Sequence, residues 1–197
     1  MIGFLLVGLA LAEPGALPPY PVLLTGGLGG GAASPSPFGD GGGSWDGHGH
    51  GRIGLCGPRT ALEFGVREGM ATQDLRSLGG IFVGARWAMV PGVDLRAGFA
   101  HHHEVEYALA RSEPVLAVLG SLDGIRHRSG AELGLSLRAT VPDRALKDRL
   151  GGGVDLSAVV FPDEGGPRAY GFIDLSVYVA AGARRGGTTP PAPPPGG

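Results

Sequence analysis

The sequence predicts an all-β chain: an eight-stranded antiparallel up-and-down transmembrane β-barrel with a polar, plugged interior. Three observations predict it. Apolar and polar residues alternate with a period of two along most of the chain, so that one face of each segment is nearly pure aliphatic while the other carries full charges. Glycine accounts for 39 of 197 residues and charged residues for only 17%, against ~7% and ~25% in ordinary soluble domains. An apolar N-terminus reads as an export signal, and no other stretch is apolar over the ~20 residues that a membrane helix needs.

Taken in order, Ile2 to Ala12 form an apolar run closing on Ala10-Leu11-Ala12 before Glu13-Pro14, the pattern of an h-region and a small-x-small cleavage site. Residues 1–12 are therefore expected to be a signal peptide that takes the chain across the inner membrane, and residues 13–19 a linker. The barrel is expected over residues 20–180. Residues 181–197 are rich in Gly and Pro, hold no large apolar side chain, and are expected to form a disordered tail.

Within the barrel region, Tyr20 to Gly31 sets Val22, Leu24 and Leu28 against Thr25 and glycines, and His50 to Cys56 contains Ile53 and Leu55. Leu62, Phe64 and Val66 oppose Glu63, Gly65 and Arg67. In Ile81 to Met89 the odd positions are all apolar, while Gly84 and Arg86 fall on the other face. After the turn pair Pro91-Gly92, Val93, Leu95, Ala97 and Phe99 oppose Asp94, Arg96 and Gly98. Leu133 to Ala139, Val154 to Val160 and Ile173 to Val179 repeat the pattern against Glu132, Arg138, Asp155 and Asp174. The connections alternate in expected length: Gly57-Pro58, Pro91-Gly92 and 142–153 on one side, and 34–49, 70–78, 103–124 and 162–167 on the other.

Alternation alone fits a soluble barrel or sandwich as well, with the aliphatic face inward. The composition of the polar face favours the reverse. Glu63, Arg67, Arg86, Asp94, Arg96, Glu132, Arg138, Asp155 and Asp174 lie there beside Gly54, Gly65, Gly84, Gly98 and Gly134. An eight-stranded barrel is just wide enough inside for side chains, so bulky charges there need small neighbours and opposite partners. Solvated charges would need neither. A net charge of −2 with no basic block excludes nucleic acid as the expected partner. The single Cys56 excludes an internal disulfide and a cysteine zinc cluster.

Over Tyr20 to Ala180 this topology and alternation resemble the small eight-stranded outer-membrane barrels of the OmpA and OmpX type. The resemblance implies an outer-membrane location, membrane lipid as the surrounding partner, a monomer, and a non-enzymatic structural or surface-interaction role toward a further envelope or surface partner. Two other readings stay open: an outer-membrane lipid-modifying hydrolase, and a soluble periplasmic β-barrel binding protein.

The residues with chemical potential are mostly histidines. His48 and His50 fall in the first long connection, His101, His102 and His103 at the end of a strand, and His127 at the start of the next, so all six are expected at one rim. With Glu104 and Glu106 nearby, His48, His50, His101, His103 and His127 are candidate ligands for a divalent metal such as zinc, copper or nickel; no other cofactor is expected. Neighbouring histidines on a strand point to opposite faces, so at most two of the triplet can share a site. His127 and Ser129 are expected on the outer face, where they are similar to the His-x-Ser arrangement of the lipid A deacylases. That resemblance implies a serine nucleophile with a histidine base, but Gly130 stands where asparagine is expected and no carboxylate follows on the same face. The runs Gly26-Gly27-Leu28-Gly29-Gly30-Gly31 and Gly151-Gly152-Gly153 read as bends and turns, Cys56 as a small inward packing residue, and Trp87, Phe161 and Tyr170 either as girdle aromatics or as core packing.

Overall fold

Each alternating stretch forms one strand, and the strands close in chain order into a barrel of eight. The computed structural model describes residues 15–34, 44–71, 76–119, 121, 123–141, 146, 148–162 and 168–185; the expected signal segment 1–12 and residues 186–197 lie outside them. The strands are β1 (Val22–Ser34), β2 (Ser44–Cys56), β3 (Thr60–Ala71), β4 (Arg76–Val90), β5 (Val93–Glu106), β6 (Arg126–Thr140), β7 (Leu150–Phe161) and β8 (Arg168–Ala181). Two short helices, α1 (Tyr107–Ser112) and α2 (Pro114–Leu119), connect β5 to β6. All neighbours are antiparallel, and β1 closes on β8 from Val22 opposite Ala181 to Ser34 opposite Ala169. Closure leaves every strand with a partner on both sides.

Several strands are longer than their aliphatic alternation. β2 begins at Ser44 rather than His50, and β3 and β4 run on to leave only 72–75 between them. Gly151 to Gly153 sit inside β7 rather than in a turn. The close approach there is what requires glycine: a Cβ at Gly151 would lie 2.1 Å from the Tyr178 hydroxyl oxygen. Pro91-Gly92 does make the expected tight reversal, with Gly92 at φ 76°, a left-handed value that glycine adopts at no steric cost.

The interior is stacked in three layers. At the mouth where β1 begins and β8 ends, Tyr20, Leu23, Tyr178 and Ala180 pack together, and Leu17, Ala61 and Ala88 form a second group, with Cys56 touching both. At the opposite end Ala100, Val159, Phe161, Tyr170 and Phe172 make an aromatic layer. The charged residues lie between. The segment before β1 runs across the terminal mouth, with the Leu17 N–H donating to Pro58 O at 3.0 Å and the Cys56 N–H to Pro21 O at 2.7 Å. After β8, the Arg185 guanidinium donates to Cys56 O at 2.5 Å and Pro18 O at 2.7 Å. β8 itself runs to Ala181, and Arg185 beyond it is hydrogen-bonded to Pro18 and Pro19 of the segment before β1.

Candidate functional site

All nine charged side chains of the polar face point into the barrel, and pairing follows from which strands carry them across the lumen. Arg86 Nε donates to Glu63 Oε1 at 2.7 Å, and Arg86 Nη1 to Asp94 Oδ2 at 3.0 Å. Asp94 also accepts from Arg138 at 2.5 and 2.8 Å. Arg96 lies 3.7 Å from both Glu132 and Asp155, while Arg67 lies 3.7 Å from Glu132 and 3.9 Å from Asp174. Asp155 accepts from Ser176 Oγ at 2.5 Å and from Ser136 Oγ. A tenth member, Arg52, stands 3.6 Å from Asp155 and 4.0 Å from Glu132. With it, five carboxylates face five guanidinium groups in this layer. Arg86, Arg96, Asp94 and Asp174 are at most 1% exposed, a burial that charges tolerate only when paired.

His48 and His50 are not at the rim with the other histidines. They extend β2 inward, where His48 Nε2 donates to Asp174 Oδ1 at 2.6 Å and His50 Nδ1 lies 3.3 Å from the same oxygen. Once β2 begins at Ser44, their even numbering places them on the face of Arg52. His102 also points inward, edge-on to Phe161 with ring centroids 4.9 Å apart. Nearby, Glu104 accepts from the Tyr170 hydroxyl at 2.7 Å and from Arg128 Nε at 3.1 Å. Phe161 and Tyr170 therefore belong to the interior plug and not to a girdle, whereas Trp87 stands on the outer face. Two cavities in this interior, one beside Arg52, Arg67 and Glu132 and the other beside Arg86, Asp155 and Ser176, measure about 10 Å³ each. That is room for about one water molecule.

The outer wall is the reverse. Leu28 is 74% exposed, Leu175 70% and Leu62 62%, and the aliphatic side chains of Ile53, Leu55, Val83, Leu133, Ile173 and Val177 continue the belt around the barrel. On this wall, toward the mouth opposite the start of β1 and the end of β8, sits a polar island. The β5–β6 register puts His101 opposite Ser129 and His103 opposite His127. His101 Nδ1 lies 2.7 Å from Ser129 Oγ, and His101 Nε2 lies 3.3 Å from His127 Nδ1. The partner of Ser129 is thus His101 from the neighbouring strand rather than His127 from its own. A serine–imidazole distance of 2.7 Å suits proton transfer, but the wall is convex and its strand N–H groups run along the sheet. Nothing described there converges on the place where an oxyanion would form.

No protein-family model matches the sequence, and no curated protein matches it. Among solved structures, Neisserial surface protein A (NspA) aligns at TM-score 0.53 and 13% identity, covering 81% of this chain and 97% of that one. The N-terminal β-barrel domain of Pseudomonas aeruginosa OprF aligns at TM-score 0.43 and 14% identity, covering 80% and 98%. Ail of Yersinia pestis, solved with the heparin analogue sucrose octasulfate, aligns at TM-score 0.41 and 9% identity, covering 80% and 97%. The first of these likenesses shows the fold: this chain has the architecture of the small eight-stranded outer-membrane β-barrels.

Proposed function

We propose that the protein is a monomeric outer-membrane β-barrel, delivered after export across the inner membrane, that acts without catalysis as a structural or surface-interaction element of the envelope. One observation carries this reading: a continuous belt of exposed aliphatic side chains encircles a barrel whose charges are inside. In water such a belt would far exceed the few hundred Å² of contiguous apolar surface that monomeric soluble proteins tolerate. In lipid it is the required exterior, and a closed sheet is the only one that leaves no backbone group unpaired there. This argues against the soluble periplasmic binding protein. The filled interior argues against a pore, which leaves the loops and the helices α1 and α2, with Tyr107, Val115 and Leu116 exposed, as the parts able to meet a partner. The lack of converging donors around Ser129 supports a role without hydrolysis.

The test is the protein's behaviour in detergent. The purified chain is expected to stay dispersed only with detergent or lipid, and to migrate on a denaturing gel at different positions before and after heating. A protein that is monodisperse in buffer alone contradicts the proposal. Comparing the envelope lipids of a host making wild type with those of one making Ser129→Ala tests the hydrolase reading; a difference in lipid acylation would restore it.

A further inference from the structure

We propose that His101, His103 and His127 form a zinc-binding site on the outer wall, with Ser129 positioning His101. Two of the imidazoles come from alternate positions of β5 and the third from the cross-strand partner of His103 on β6, so the sheet itself brings them to one spot. One donor nitrogen from each lies within 4.8 Å of the other two. One pair, His101 Nε2 and His127 Nδ1, is 3.3 Å apart. Two ligands on a tetrahedral ion with Zn–N bonds of about 2.0–2.1 Å are separated by about 3.3–3.4 Å, so this pair already has the spacing that coordination needs. His127 is exposed, and its ring already meets that of His103 edge-on with centroids 4.8 Å apart.

The surroundings fit a ligand role. When His101 Nδ1 donates to Ser129 Oγ, the tautomer is set so that Nε2 presents a lone pair toward the shared point, the usual arrangement behind a metal-bound imidazole. Phe99 stacks on the other face of His101 with centroids 6.4 Å apart, restricting its rotation. Three protein ligands leave a fourth position for water or a lipid headgroup oxygen. Imidazole donors favour zinc, copper and nickel over magnesium and calcium. The strands are 12 to 15 residues long, which at ~3.3 Å per residue and a tilt of ~40° spans about 30–38 Å, more than the ~25 Å apolar band of such barrels. The island lies in the last six residues of β5 and the first four of β6, in the half of the wall nearer the β5–β6 connection, with His103 and His127 closer to the rim than His101.

The second histidine group, His48 and His50 with Asp174, does not compete for the ion. Its members are already paired with one another and with neighbours: His48 bonds Asp174 and lies 3.4 Å from Asp46, and Asp174 also faces Arg67.

The experiment is a zinc titration of the full chain, without a histidine tag, folded in detergent, followed by metal analysis after dialysis. One zinc per chain is expected, with no magnesium retained. His101→Ala and His127→Ala should each abolish stoichiometric zinc, and Ser129→Ala should weaken it by about 10–100-fold, the effect of losing an orienting partner. His48→Asn should leave it unchanged. Heat-dependent gel migration of every variant verifies that the barrel has closed, and His127→Ala, at an exposed position, keeps the test available if another variant does not fold. Folded wild type without stoichiometric zinc overturns the proposal, as does zinc that survives His127→Ala undiminished or is lost only with His48→Asn.

Discussion

Arg86 shows most clearly what a single residue contributes to this barrel. Its guanidinium bridges Glu63 and Asp94 from a position 1% exposed, so Arg86→Met would leave the buried Glu63 carboxylate without its cation, while Asp94 keeps Arg138. Removing one partner of a buried ion pair costs about 3–5 kcal/mol, and that loss is expected in urea unfolding of the lipid-reconstituted protein; adding Glu63→Gln should recover part of it. Gly151→Val is expected to destabilise the barrel by a steric route, since a Cβ there would lie 2.1 Å from the Tyr178 hydroxyl and 2.4 Å from Ala139 O. Most of the ionic layer was legible from parity: a charge amid aliphatic neighbours at alternate positions has only one face to occupy. Arg52 shares that parity with Gly54, and Phe161 and Tyr170 share theirs with Asp155 and Asp174, so the same rule would have found them. The pairing of His101 with Ser129 carried no such signal. It depends on the cross-strand register, which the connection 107–125 leaves undetermined in the sequence.

At the scale of elements, strand ends were the least legible part. The outward positions Gly47, Gly49 and Gly51 of β2 have no side chain, so the aliphatic half of the alternation disappears until Ile53 and Leu55, and with it the start of the strand. The hydrogen bonds of the ladder do not need those side chains, and the pairing of β1 with β2 continues to Ala33 opposite Ser44. The terminal mouth is likewise invisible in a pattern of residue types, because Pro18, Pro19 and Pro21 form no ladder of their own. They act as acceptors instead: Arg185 donates to Pro18 O and Cys56 O and so clamps the segment before β1 against the end of β8. Arg185→Ala is expected to cost about 1.5–3 kcal/mol, the worth of hydrogen bonds from a charged donor. It should also speed maleimide labelling of Cys56, which is half-buried behind that segment. Unchanged stability and labelling would mean that the clamp does not hold the mouth closed.

Over the whole molecule, the barrel inverts the arrangement of a soluble protein, and its energetics follow the inversion. The ionic layer lies between an aromatic layer at one end and an apolar layer at the other, so the axis offers no continuous path for solutes. Planar bilayers containing the purified chain are accordingly expected to show no steady conductance. Leu175, 70% exposed midway along β8, is a sensitive reporter of the outer face. An arginine near the midplane of a lipid-facing wall costs about 2–4 kcal/mol, whereas an exposed position in water tolerates it within about 0.5 kcal/mol. The most direct measurement is a spin label attached at Leu175→Cys in a Cys56→Ser background, with the protein in lipid bilayers. The inverted barrel predicts a label relaxed efficiently by oxygen, which concentrates in hydrocarbon, and shielded from a water-soluble nickel complex. Ready access of the nickel complex to that label would place Leu175 in water and contradict the membrane-facing wall.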